Sequence, residues 1–165
     1  MRIAQVIVFT IAALISLPAL AQGKPSAGSG QPTASDMQIL AQKIKADKKL
    51  VVAANMQLTE AEAKGFWPVY EAYQSDLQKI NQRLIGAIKT YADAYNKGPV
   101  SDETAKKLIN EAIAVEEAEV KLKRSYVPKL EKVIPGMKVA RYIQIENKIR
   151  AVVRYELADK IPLVK

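Results

Sequence analysis

The side chains that most often carry enzyme chemistry are missing from this sequence. Its 165 residues include no histidine and no cysteine, so neither the commonest general base nor a thiolate nucleophile is available. The same two absences remove the usual ligands of transition metals and the possibility of disulfide bonds. The sequence therefore predicts a protein that is not an enzyme, with no catalytic residue and no cofactor.

One group of carboxylates is dense enough to be considered as a site. It consists of Glu111, Glu116, Glu117 and Glu119. In addition, four acidic residues of the chain each stand four positions before a basic residue, which is the spacing of ion pairs on an exposed helix. These pairs are Glu103–Lys107, Glu117–Lys121, Glu119–Lys123 and Glu146–Arg150. We predict a solvated, salt-bridged face and no metal site; a hard-cation site is the alternative, although di-metal helical bundles usually add histidine to their glutamates.

Glu146 differs from the other carboxylates because Tyr142 and Ile149 place it close to an apolar helix side. A buried carboxylate needs a partner. We predict a structural ion pair to a basic residue of a neighbouring helix, which would fix the helix register, while Arg150 is the predicted partner on the same helix. A catalytic role for Glu146 is the alternative.

The first 21 residues have the three parts of a secretion signal. Arg2 supplies the positive start, residues 3–17 are almost entirely apolar, and Ala19-Leu20-Ala21 forms a cleavage site. The apolar run is short for a membrane span, which favours removal over an uncleaved anchor, and no cysteine follows for lipid attachment. We expect a periplasmic protein that begins at Gln22, with a flexible linker of Gly, Pro and Ser over residues 22–35.

The charge balance is clearly basic. The chain carries 25 basic and 17 acidic residues, a net charge of +8, and removal of Arg2 with the signal leaves 24 minus 17, or +7. A positive surface attracts acidic protein segments, anionic membrane surfaces and nucleic acid. No nucleic-acid-binding module accompanies the charge, so we expect protein partners, with membrane-surface contact as a second class.

Residues 36–165 have the apolar spacing of a single helical domain. Helices are predicted over 36–54, from Thr59 to Lys97, from Ser101 to about Ile134, and from Met137 to about Asp159. The resulting fold is all-α, an elongated antiparallel four-helix hairpin in which Pro68 and Pro128 kink the long second and third helices. Two explanations of the kinks stay open. They either shape a concave binding face or simply wrap the helices around the core.

Most aromatic residues follow one seam on the second predicted helix. The seam consists of Phe66, Tyr70, Tyr73, Leu77, Ile80, Leu84, Ile88, Tyr91 and Tyr95. We predict that this seam packs in the core, with a client-gripping stripe as the alternative. On the third helix, Ile109, Ile113 and Val120 are expected to widen the core-facing stripe, whereas Trp67 falls off the seam and is the first candidate for an exposed contact.

Leu58, Thr59 and Glu62 form the pattern Leu-Thr-x-x-Glu at the start of the second helix. With four helices, a secretion signal and no cysteine, the chain resembles the Spy/CpxP-type envelope-stress family, known for its LTxxQ motifs. Glu62 stands where the family has glutamine, and the second motif is represented only by Ile134-Pro135-Gly136-Met137. The resemblance implies a thin helical cradle, often an antiparallel homodimer, whose basic concave face holds unfolded chains without ATP or restrains a sensor kinase.

Two functions follow as expectations. The first is an ATP-independent, chaperone-like protein whose candidate client contacts are Lys43, Lys45, Lys48, Lys49 and Trp67. The alternative is a regulatory subunit that binds a membrane sensor kinase, or metal ions as in heavy-metal resistance.

Overall fold

The computed structural model describes residues 47–164. In that range 87% of the residues are helical and no strand occurs, which confirms the predicted all-α helical hairpin. The described helices are α1 over residues 47–56, α2 over Glu60–Lys97, α3 over Asp102–Glu131 and α4 over Gly136–Lys160. The predicted signal (1–21), the linker (22–35) and residues 36–46 of the first predicted helix lie outside the described residues.

The start of α2 is fixed by the motif that the sequence singled out. The Thr59 hydroxyl accepts a hydrogen bond from the Glu62 amide at 3.3 Å, and the Thr59 amide donates to the Glu62 carboxylate at 2.8 Å. This reciprocal pair satisfies two amides that a helix start leaves unpaired. Lys138 Nζ also donates to the Glu62 carboxylate at 2.5 Å, so the first turn of α2 is tied to the first turn of α4.

The helices α2 and α3 form the antiparallel hairpin. Gly98 ends α2 with a φ of +140°, in the region that favours glycine, and the Ser101 hydroxyl caps α3 by accepting from the Thr104 amide at 3.3 Å. Both α2 and α3 run unbroken through Pro68 and Pro128. The two helix ends confirm the predicted hairpin turn, whereas the bends at the two prolines stay a prediction.

The direction of α4 follows from its contacts with α2. Tyr142 lies 5.2 Å from Phe66 between ring centres, Glu146 accepts from Gln74, and Arg150 donates to Asn81 further along. Residue numbers increase in the same direction along the two helices, so α4 runs parallel to α2 and antiparallel to α3. The helix α1 runs antiparallel to α2.

The core has two unequal parts. The larger part is built around edge-on aromatic rings of α2, α3 and α4, and it includes Val52 and Met56 of α1. Its buried aromatic residues are Phe66, Tyr70, Tyr73, Tyr126 and Tyr142. The smaller part, at the Gly98 end, consists of Ile88 and Leu157 with three half-buried neighbours. Five of the nine residues of the predicted α2 seam are thus buried as expected, and the other four are half-buried. The buried five are Phe66, Tyr70, Tyr73, Leu77 and Ile88.

The expected widening of the α3 stripe is wrong. Ile109, Ile113 and Val120 are 57%, 49% and 49% exposed. The core side of α3 is instead defined by Val115 and Tyr126, and helix geometry places the three exposed residues about a third of a turn away from it. Among residues 47–164, no helix combines the length and the hydropathy that crossing a bilayer requires.

Candidate functional site

The first buried carboxylate, Glu146, is held by two other helices. Its oxygens accept from Lys48 Nζ of α1 and from Gln74 Nε2 of α2, both at 2.8 Å. Gln74 Nε2 also donates to the Tyr142 hydroxyl at 3.2 Å. The predicted interhelical ion pair of Glu146 is therefore confirmed, but its partner is Lys48, and the predicted pairing with Arg150 is wrong.

Arg150 belongs to a second buried ion pair. It contacts the buried Glu119 of α3, and its Nη1 donates to Asn81 Oδ1 at 2.8 Å. Burial lowers the pKa of the Arg150 guanidinium, with the nearby Arg154 adding to the effect. Removing either partner from such a pair leaves an uncompensated charge, so the pair holds α3 to α4.

Glu119 does not belong to a solvated face, which corrects the prediction for that residue. It follows Val115 by four positions, which places it on the core side of α3. The predicted partner, Lys123, donates instead to Asn147 of α4 at 3.0 Å. The 4 and 3 spacing through Val115, Glu119 and Leu122 was the sequence signal for this burial.

The remaining carboxylates of the group share no common basic partner among the described residues. Glu111 accepts two hydrogen bonds from Arg83 of α2 at 2.9 and 3.1 Å, and Glu116 lies 3.5 Å from Arg154. The predicted pair of Glu103 with Lys107 is confirmed at 2.8 Å. The described part of the chain contains no group of three acidic residues arranged to hold a metal ion, and no ion pair there joins Glu117 to Lys121.

The buried tyrosines stay protonated at neutral pH. Burial raises the pKa values of Tyr70, Tyr73 and Tyr142, and the charge of Glu146 raises them further. Burial, together with the hydrogen bond that its hydroxyl donates to Asp76 at 2.7 Å, raises the pKa of Tyr126 to about 12. These groups belong to the core and are poorly suited to proton transfer.

The predicted client contacts are only partly available. Lys43 and Lys45 lie outside the described residues, and Lys48 is committed to Glu146. Lys49 Nζ donates to Glu71 at 2.7 Å and lies 5.0 Å from the centre of the Trp67 ring. Trp67 itself is half-buried against Phe66, at 5.1 Å between ring centres. Trp67 is therefore less exposed than expected, and its role as a client contact stays a prediction.

A different surface is open on α4. We define the α4 face as Arg141, Lys148, Val152 and Tyr155, which share the side turned away from α3. Tyr155 is 74% exposed and Val152 is 48% exposed. The helix carries six basic residues against three acidic ones, and Lys148 makes no ion pair with any described residue. Sequence reasoning missed this face because the apolar spacing along α4 does not show which side of the helix the other helices leave uncovered.

The fold and these contacts define an all-α bundle in which the buried charges are used to join helices. Comparisons with protein-family models, with curated proteins and with solved structures find no match to this chain. Its action is therefore inferred from its own side chains.

Proposed function

We propose that this chain is an exported envelope protein that binds other polypeptides without ATP and catalyses no reaction. The observation that carries the proposal is the α4 face, where Val152 and Tyr155 are exposed beside Lys148 and Arg141. An exposed apolar group rimmed by charge is typical of a protein-binding surface. The buried carboxylates, by contrast, are occupied with basic residues of the same chain.

Binding on this face would be chaperone-like. Lysine and arginine attract acidic segments at long range and raise the rate of encounter. The Tyr155 ring then offers an amphipathic surface to apolar side chains of the client. Because only two large apolar side chains take part, the contact is weak, and a bound client can release and fold.

Two features of the sequence support the cellular setting. The first 21 residues have the pattern of a secretion signal, and Leu58, Thr59 and Glu62 resemble the first motif of the Spy/CpxP-type family. In the structure these three residues begin α2, so they support the fold and are not proposed as client contacts. A membrane sensor domain would be an alternative partner for the same basic face.

The test is suppression of client aggregation. Protein purified after expression of the full chain is mixed at equal molar ratio with a denatured model client, without ATP, and light scattering is followed. The variant with Val152→Ser and Tyr155→Ser is expected to lose suppression several-fold. The matched control is Leu50→Ser, which removes a side chain that is 67% exposed on α1, and it is expected to act as the native protein does.

Circular dichroism of all three proteins establishes that the helices are intact. Absence of suppression by the native protein at low salt would contradict the proposal. An equal loss in the Leu50→Ser control would show that the α4 face has no special part. Saturable binding to one folded sensor domain, without suppression, would instead support the regulatory function.

A further inference from the structure

The helix α1 lies between α2 and α4. The Nζ atom of Lys48 donates to Gln74 of α2 and to Glu146 of α4, both at 2.8 Å. Further along α1, Val52 and Met56 are fully buried in the aromatic cluster. We define the α1 groove as the channel between α2 and α4 that receives these three α1 side chains. The position and the direction of α1 along this groove are therefore fixed.

The α1 groove continues beyond the described part of α1 with apolar side chains that are half exposed. Ile85 of α2 stands eleven residues after Gln74 and is 48% exposed. Val152 of α4 is also 48% exposed, and it stands eleven residues after Arg141, which donates to Gln57, next to α1, at 3.3 Å. Eleven residues make about three turns and return to nearly the same side of a helix. Both apolar residues therefore lie on the line of α1, beyond its first described residue.

The chain directly before α1 has an apolar pattern that fits this part of the groove. Residues 36–46 lie outside the described residues, and the predicted first helix includes them. Three of their large apolar side chains, Met37, Leu40 and Ile44, stand at steps of three and four, and a further step of four reaches Lys48. In a helix that continues α1, these three side chains share the side that carries Lys48.

We propose that residues 36–46 continue α1 as a helix and dock in the open part of the α1 groove. Lys48 sets the register. Two antiparallel helices with equal rise place opposite each other the residues that stand equally far from a common contact. Met37, eleven residues before Lys48, then lies opposite Ile85, which stands eleven residues after Gln74.

The same register brings the segment to α4. Lys48 also contacts Glu146, so Leu40, eight residues before Lys48, falls within one turn of Val152, six residues after Glu146. The contact removes apolar surface from water on both sides. The segment is bonded to α1, and this attachment gives it an effective concentration that a free polypeptide seldom reaches. That advantage selects residues 36–46 over a foreign polypeptide as the occupant.

Docking of the segment reduces the proposed client surface. Val152 belongs to the α4 face and becomes partly covered, whereas Lys148 and Tyr155 lie further round α4 and stay open. A client that uses Val152 must displace residues 36–46, so the segment limits client binding. This competition rests on the proposed function, but the docking itself does not.

The first test is a disulfide bond across the proposed contact. The chain has no cysteine, so Met37→Cys with Ile85→Cys introduces the only two thiols, and a bond requires Cα atoms within about 7 Å of each other. Mild oxidation is expected to join them within one chain, as peptide mapping by mass spectrometry shows. The matched control is Ile39→Cys with Ile85→Cys, because Ile39 points to the opposite side of the helix from Met37. It is expected to react at least about tenfold more slowly, and equal reaction of the two pairs would overturn the proposal.

The second test measures the accessibility of Val152. The thiol of a Val152→Cys variant is labelled with a maleimide, and the rate is followed. Adding Ile44→Ser removes an apolar contact of the segment and is expected to raise this rate about fivefold or more. Adding Ile39→Ser removes the same type of side chain from the solvent side, and the rate is expected to stay within about twofold. An unchanged rate with Ile44→Ser would contradict the docking.

The competition with clients is measured in chains that keep Val152. In the aggregation assay, Ile44→Ser is expected to suppress light scattering several-fold better than Ile39→Ser does. Faster labelling without better suppression would support the docking and overturn the competition. Because the disulfide and the labelling rate involve no client, failure of the docking and failure of the proposed function are distinguishable.

Discussion

At the scale of single residues, the core contains polar groups with different hydrogen bonding. Tyr70 and Tyr142 are both fully buried, and their ring centres are 6.0 Å apart. The Tyr142 hydroxyl accepts from Gln74 at 3.2 Å, whereas the Tyr70 hydroxyl has no hydrogen-bond partner among the described residues. A buried hydroxyl without a partner loses its hydration and gains nothing in return.

Replacing each hydroxyl by hydrogen should therefore have opposite effects. Tyr70→Phe is expected to raise the free energy of unfolding by about 1 kcal/mol, and Tyr142→Phe to lower it by about 1 kcal/mol or more. Urea unfolding followed by circular dichroism measures both values. Equal destabilisation by the two changes would contradict the assignment of hydrogen bonds in this core.

Two glutamates mark how far the sequence could predict the buried contacts. Glu146 was predicted as buried and paired across helices because its neighbours on the helix are apolar. Its actual partner, Lys48, lies 98 positions away, and spacing along one helix says nothing about a residue on another. Glu119 was missed because an i to i+4 lysine was available and favoured the exposed interpretation.

At the scale of helices, the approach of α2 to the turn that joins α3 to α4 depends on one glycine. A Cβ atom placed on Gly65 would lie 2.9 Å from the Cβ of Val133, which is a branch point and has no freedom to move away. Gly86, in the same helix, has open space around the corresponding position. A side chain is therefore excluded by close contact at Gly65 but not at Gly86, and the two glycines can be compared directly.

Alanine at these two positions should change stability in opposite directions. Gly65→Ala forces α2 away from the turn that joins α3 to α4 and is expected to cost about 1–3 kcal/mol. Gly86→Ala improves helix propensity and is expected to add about 0.5–1 kcal/mol. Thermal unfolding of the two variants measures the difference. A tolerated Gly65→Ala would show that α2 and this turn are not in close contact.

Helix boundaries were the part of the fold that the sequence predicted best. Thr59 with Glu62, Ser101, and Gly98 followed by Pro99 are local signals, because each acts on amides or angles within a few residues. The side of each helix was harder to predict. An apolar residue such as Ile113 can face the core or the solvent, and only the positions of the other helices decide between the two.

At the scale of the whole molecule, the packing is uneven along the bundle. The large aromatic cluster lies where α1, α2, α3 and α4 meet, whereas the buried cluster at the opposite end consists of Ile88 and Leu157, with the small side chain of Ala92 buried nearby along α2. Local stability follows the density of buried contacts. The chain is thus expected to open first at the Gly98 end.

Hydrogen exchange should show this difference directly. Backbone amides in residues 66–77 and 126–142 are expected to exchange at least about tenfold more slowly than helical amides in residues 84–95 and 104–112. Mass spectrometry of deuterated peptides gives both rates in one experiment. Uniform protection along α2 would contradict the inferred order of opening.

The position of Trp67 has an optical consequence. It is the only tryptophan of the chain, and the ammonium group of Lys49, on α1, lies over its ring. Indole emission is sensitive to hydration and to nearby cations, so its wavelength depends on whether α1 occupies its place against α2. The protein carries a natural fluorophore at the contact that joins its first described helix to the rest.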